Sequence, residues 1–70
     1  MTREEWRQEV MLELVRKHKS VSAIARELNC SRAWIYDVFT GDAPEPGRSK
    51  WTQAINDLLG IKGEVRDEEG

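Results

Sequence analysis

Apolar residues recur along most of the chain with a period close to that of the α-helix, broken at intervals by capping residues, glycine and proline; the pattern predicts helices and no strand. Thr2 with Glu5 three positions later is a capping-box pattern. Trp6, Val10, Met11, Leu14 and Val15 then share one broad face, so a first helix is predicted from Arg3 to Lys17. Arg16, Lys17, His18 and Lys19 gather at its carboxyl end, where they complement the helix dipole and require no ligand for His18. Ser20 or Ser22 caps a second, short helix of about eight residues whose inward positions are Val21, Ile24, Ala25 and Leu28. Asn29 ends it, asparagine being the non-glycine residue best suited to left-handed backbone. Ser31 caps a third helix from Arg32 to Thr40 that turns Ile35, Val38 and Phe39 inward, and Gly41 stops it.

Pro44, Pro46 and Gly47 make the segment from Asp42 to Gly47 a loop. Ser49 is expected to cap a fourth helix with Trp51, Ala54, Ile55, Leu58 and Leu59 on its apolar stripe, ended by Gly60 before Ile61. No periodic segment lies beyond it. The expected organisation is a single domain over residues 1–61 and an acidic, disordered tail over residues 62–70. In class the protein is predicted to be all-α, a bundle of four or five helices.

Seventy residues, 39% of them hydrophobic and 34% charged, suffice for one small core and exclude a two-domain enzyme. A single cysteine, Cys30, excludes an internal disulfide framework, and with one histidine, His18, the chain lacks the ligand set of a structural zinc site. Cys30 is expected to act as a small buried hydrophobe. No run approaches the roughly 18 apolar residues of a membrane span, and the amino terminus is neither a signal nor a transit peptide; a soluble, cytoplasmic protein is expected. The net charge of −2 first argues against a nucleic-acid partner. Its distribution softens the objection, because residues 1–60 hold nine basic and nine acidic groups and the excess lies in the last ten residues.

No catalytic constellation emerges. Glu4, Glu5, Glu9 and Glu13 are the solvated side of an amphipathic helix, His18 has no nucleophile or paired carboxylate placed by a motif, and no phosphate-binding glycine loop occurs. An enzyme, a bound cofactor and a small-molecule effector are not expected.

The informative segment runs from Val21 to Thr40: two short helices joined by a turn of about three residues, with small Ala25 where the helices must approach, Asn29 at the turn and Ser31 capping the second of the pair. A purely structural bundle does not need that spacing. The segment resembles the helix-turn-helix of the phage Cro and phage repressor family, the XRE-like bacterial regulators. Gly41, then Pro44 or Pro46, then Leu59, Gly60 and Ile61 come in the order seen in that family, so the resemblance covers about Ser20 to Ile61. Asn29 stands where the family most often has glycine, Cys30 where it has valine or isoleucine, and Val21 where many relatives carry a polar residue that touches the DNA backbone.

The resemblance implies a lambda-repressor-like fold and a sequence-specific regulator that acts by covering promoter or operator DNA, encoded by a phage or another mobile element and found at the bacterial nucleoid or in the phage-infected cell. It places the third helix in the major groove. The residues it offers to bases are Ser31, Arg32, Ala33, Tyr36, Asp37 and Thr40, with Arg32 the leading candidate to chelate a guanine. Candidates for the phosphate backbone are Lys17, Lys19, Ser20, Ser22, Arg26, Arg48 and Lys50. Trp6 and Trp51 are expected in the core and Trp34 at its edge. The expected partner is double-stranded DNA, read by a homodimer on a palindromic site. The alternative is an adaptor in which the same motif binds a protein partner or serves an excision or DNA-packaging complex.

Overall fold

A computed structural model describes residues 1–66 and shows four helices: α1 (Arg3–Arg16), α2 (Val21–Glu27), α3 (Arg32–Thr40) and α4 (Gly47–Leu59). The protein is an all-α bundle containing a helix-turn-helix. Each start has a local cause. At α1 the capping box is complete, the Thr2 hydroxyl accepting from Glu5 N at 3.1 Å while Thr2 N donates to Glu5 Oε1 at 2.8 Å. Those Thr2 hydrogen bonds hold the Glu5 carboxyl below its ordinary pKa. Ser20 Oγ caps α2 by accepting from Ala23 N, and Ser31 Oγ caps α3 by accepting from Trp34 N, both at 3.1 Å.

The ends are as local as the starts. His18 (φ 53°) and Asn29 (φ 60°) both adopt left-handed backbone. In each case the next amide reaches back to close the helix, Lys19 N to Leu14 O and Cys30 N to Ala25 O, both at 2.9 Å. The two turns are thus the same motif, one after α1 and one between α2 and α3. The sequence pattern anticipates Asn29 and is blind to His18. Gly41 (φ 86°) and Gly60 (φ 72°) end α3 and α4.

α3 sits at the centre, packed by α1, α2 and α4. Its inward Ile35, Val38 and Phe39 join Trp6, Val10 and Leu14 of α1, Ile24 and Ala25 of α2, Ala43, and Ile55 and Leu59 of α4 in one buried cluster. The Trp6 ring meets Phe39 edge-to-face at 5.6 Å. Its indole N–H donates to buried Asn56 Oδ1 at 2.6 Å, which satisfies two buried polar groups at once. Arg3 lies over the Trp6 ring at 5.1 Å and donates to Val38 O and Thr52 Oγ1, tying the start of α1 to α3 and α4.

The structure departs from the sequence pattern at several points. Met11 and Val15 are exposed, Val15 at 73%, as is Leu12, because the α1 stripe that meets the core is only one residue wide at Trp6, Val10 and Leu14. Ser49 does not cap α4. The helix begins two residues earlier, and Glu45 in the loop reaches forward to accept from Ser49 N at 2.8 Å and Ser49 Oγ at 2.6 Å. Trp51 and Cys30 are half-buried rather than core. Beyond Gly60 the chain does not leave the domain at once. The Met1 ammonium donates to Glu64 O at 2.9 Å, Arg66 N donates to Met1 O at 2.8 Å, and half-buried Val65 packs on the core. The rest of the expected tail, residues 67–70, lies outside the described residues.

Candidate nucleic-acid interface

α3 is amphipathic across its short axis. Ile35, Val38 and Phe39 are at most 1% exposed, while Ser31, Arg32, Ala33, Tyr36, Asp37 and Thr40, the six residues expected to face bases, are all exposed. They share one surface because about 100° per residue carries positions 33, 36, 37 and 40 to the side opposite the core. Arg32, in the first turn, has no hydrogen bond or ion pair among the described residues, so its guanidinium is available for bidentate contact. Tyr36 stands with its ring edge-to-face on Phe39 at 5.9 Å, which fixes the ring and leaves the side chain half-exposed. The Ser31 hydroxyl is occupied in capping α3, and the Thr40 hydroxyl donates to Asp42 Oδ2 at 3.0 Å. These two are therefore less free than Arg32 and Tyr36.

The basic groups divide the same way. Lys19 is clasped by both carboxylate oxygens of Glu27, at 2.9 and 3.0 Å. Lys17 lies 3.7 Å from Glu13 across one turn of α1. Arg48 donates to Gly41 O at 2.9 Å and approaches Glu45 at 3.9 Å; it ties the end of α3 to the start of α4. Ser20 is the α2 cap. Ser22 and Arg26 are exposed on α2, and Lys50 is exposed on α4 beside Leu28, Trp51 and Ala54.

Trp34 stands between the interface and the core. Its ring packs edge-to-face on Trp51 at 6.0 Å and covers Gly47 so closely that a Cβ there would lie 3.3 Å from the indole. The polar residues that fix the helices and escaped the sequence pattern are Arg3, Asn56 and Glu45: Arg3 reaches α3 at Val38 O and Asn56 reaches Trp6 of α1, both distant in sequence, while Glu45 holds the start of α4 through Ser49 four residues on. Burial pushes the Cys30 thiol above its ordinary pKa, which disfavours the thiolate. Among the described residues no group of three or more histidine, cysteine or acidic side chains is placed to hold a metal, and no helix is long and apolar enough to cross a membrane.

A family model described as a homeodomain-like domain matches residues 1–41, that is α1, α2, α3 and the Gly41 stop. No curated protein and no solved structure matches the chain. The matched segment ends before the proline loop and α4, the features on which the likeness to the Cro and repressor regulators also draws. With α1 to α3 matched and α2, the Asn29 turn and α3 in the expected arrangement, the chain belongs to the homeodomain-like helix-turn-helix family of DNA-binding domains.

Proposed function

We propose that the protein is a sequence-specific double-stranded DNA-binding regulator that inserts α3 into the major groove and acts by occupying its site, as the phage Cro and repressor proteins it resembles in sequence do. The observation that carries this reading is the outer face of α3: an exposed row of Arg32, Ala33, Tyr36 and Asp37 on a helix whose opposite side is locked into the core. Arg32 chelates a guanine, Ala33 meets a thymine methyl, and Tyr36 reaches a base or phosphate. Asp37 faces the groove only where it accepts from a cytosine amino group, so it adds selectivity against other bases. Ser22, Arg26 and Lys17 supply backbone contacts, joined by the amino end of α2.

The test is selection of bound sequences from a random duplex library at about physiological salt, followed by a salt titration on the enriched site. An enriched motif with a steep salt slope supports the reading. In Arg32→Ala the preference for one guanine is expected to relax by about tenfold or more with unchanged helical circular dichroism; an unchanged preference removes Arg32 from the readout. A second reading, an adaptor that binds a protein partner, is favoured by one observation: Lys19 and Arg48 are engaged within the molecule, which thins the positive field around α3. Absence of any enriched sequence would select it.

A further inference from the structure

Lys19 and Glu27 form an ion pair closed at both oxygens, the ammonium donating at 2.9 and 3.0 Å. It is not the one-turn contact of an ordinary helix surface. Lys19 stands just before the Ser20 cap and Glu27 is the last residue of α2, so the ammonium is drawn along the whole helix, roughly 10 Å, from its amino end to its carboxyl end.

α2 does not need this strap. Its start is capped by Ser20 Oγ, its end is closed by Cys30 N on Ala25 O, and Ile24 and Ala25 anchor it in the core. Lys19 is itself fixed through its backbone, N to Leu14 O at 2.9 Å, so its side chain can leave Glu27 without moving the chain. The pair is also wet, with 31% of the Lys19 and 42% of the Glu27 side-chain surface exposed, so another anion can reach it. The other engaged cations are held differently. Arg16 and Lys17 share Glu13 at 3.3 and 3.7 Å, and Arg48 has Gly41 O as a nearer partner than Glu45, which is taken up by Ser49. The Glu27 carboxylate has Lys19 alone as its partner among the described residues. Released, the Lys19 ammonium falls back to the amino end of α2, where Ser22 is exposed and where the reading above brings a DNA phosphate.

We propose that Glu27 is an intramolecular competitor of DNA phosphate for Lys19. The clasp draws the ammonium away from the amino end of α2, a phosphate must win it back, and the affinity for DNA is set below what the cations of the chain allow. On the DNA-binding reading, on which this rests, Glu27 is a positioning residue that touches no DNA itself. A phosphate contact carries no base information, so the clasp lowers the affinity for every duplex alike and leaves discrimination to α3.

Binding of the full chain to a duplex of random sequence at about 50 mM salt tests it, because phosphate contacts decide affinity there. Glu27→Gln should bind about threefold or more tighter than the parent. In that background Lys19→Met should undo the gain and lower the salt slope by about one. Made on Lys19→Met instead, Glu27→Gln should gain less than about twofold, since no clasp is left to break. Helical circular dichroism should be unchanged in all three variants, the caps of α2 lying elsewhere. Equal gains with and without Lys19 would reduce Glu27 to one negative charge among several and overturn the proposal. An affinity unchanged in Glu27→Gln, or a Glu27→Gln protein that binds no duplex, would overturn it too. A chain that follows the expected pattern on random DNA yet enriches no motif from a library keeps the clasp and loses the sequence-specific reading of α3.

Discussion

The two connections that flank α3 hold it by different means. Between α2 and α3 the chain turns on its own backbone: Asn29 takes the left-handed conformation, Cys30 N returns to Ala25 O, and Ser31 caps the next helix within two residues. Between α3 and α4 the backbone closes the α3 end, where Gly41 is left-handed and Ala43 N returns to Asp37 O at 3.1 Å, and side chains span the rest. There Arg48 crosses the loop to Gly41 O, Glu45 reaches forward to Ser49, and Trp34 lies on Gly47 and Trp51. A backbone turn sets the crossing of α2 and α3 by sterics, whereas a side-chain clasp sets the approach of α4 by groups that water can also solvate. The first connection is therefore expected to be the stiffer, and the aim of α3 relative to α2 better fixed than its distance from α4.

The largest break is at the tight crossing. Ala25 is 3% exposed and carries the amide acceptor of the turn, so Ala25→Leu overpacks the α2–α3 contact and is expected to cost about 1–3 kcal/mol. For a domain of this size that is a fall in melting temperature of roughly 4–8 °C per kcal/mol. Unchanged melting would mean that the two helices are not in close contact at this point. Removing the clasp should cost less. Arg48→Ala deletes a charge-assisted hydrogen bond to Gly41 O from a side chain that keeps 23% of its surface in water, and about 1 kcal/mol is expected. A DNA titration then separates clasp from phosphate contact: loss of a clasp weakens binding with the salt slope intact, while loss of a phosphate contact lowers the slope by about one.

Legibility in the sequence divides the same way. Thr2 with Glu5, Asn29, Ser31, Gly41 and Gly60 are read correctly, and Ser20 is one of the two caps expected for α2, because each acts on backbone within a few residues of itself. Arg3 and Asn56 are invisible because their partners, Val38, Thr52 and Trp6, are brought to them only by the fold. Ser49 misleads for a different reason: a serine near a helix start satisfies the capping pattern, but Pro46 and Gly47 continue the helix backward and leave the capping to the Glu45 carboxylate. Met11 and Val15 mislead because a 3.6-residue period defines a face without defining how wide a partner will cover it. The exposed side of α3 is legible as a periodicity; which of its hydroxyls are already engaged, Ser31 and Thr40, is not.

The two left-handed turns differ in strain. His18 and Asn29 close their helices with the same hydrogen bond, yet asparagine tolerates φ near +60° better than a bulkier side chain does. His18→Gly is therefore expected to stabilise the domain by about 0.5–1 kcal/mol, the relief of strain exceeding the added freedom of the unfolded chain. Asn29→Gly should gain at most a few tenths, because there relief and added freedom nearly cancel. Thermal melts of the two variants check the order; a larger gain at Asn29 would show that strain sits in the helix-turn-helix itself.

The smallest effect concerns the start of α1, which depends on a charge. Ser20 and Ser31 cap with neutral hydroxyls, so α2 and α3 keep their starts at any pH at which the core holds. Glu5 is different, since its carboxylate accepts from Thr2 N and its pKa is lowered in the folded protein. A lowered folded-state pKa contributes stability that is fully present above the unfolded value and is lost as pH falls through the folded one. Acidification through and below the ordinary glutamate range should therefore fray the first turn of α1 while the α2–α3 turn stays closed. Glu5→Gln, which keeps an acceptor without the titration, should flatten that acid limb. Amide hydrogen exchange resolves the two regions: faster exchange at Glu5 and Trp6 at low pH, relative to the intrinsic rate, with protection retained at Leu28 and Cys30, is the expected result. Parallel loss at both would mean that the turn aiming α3 leans on α1 more than its own backbone geometry indicates.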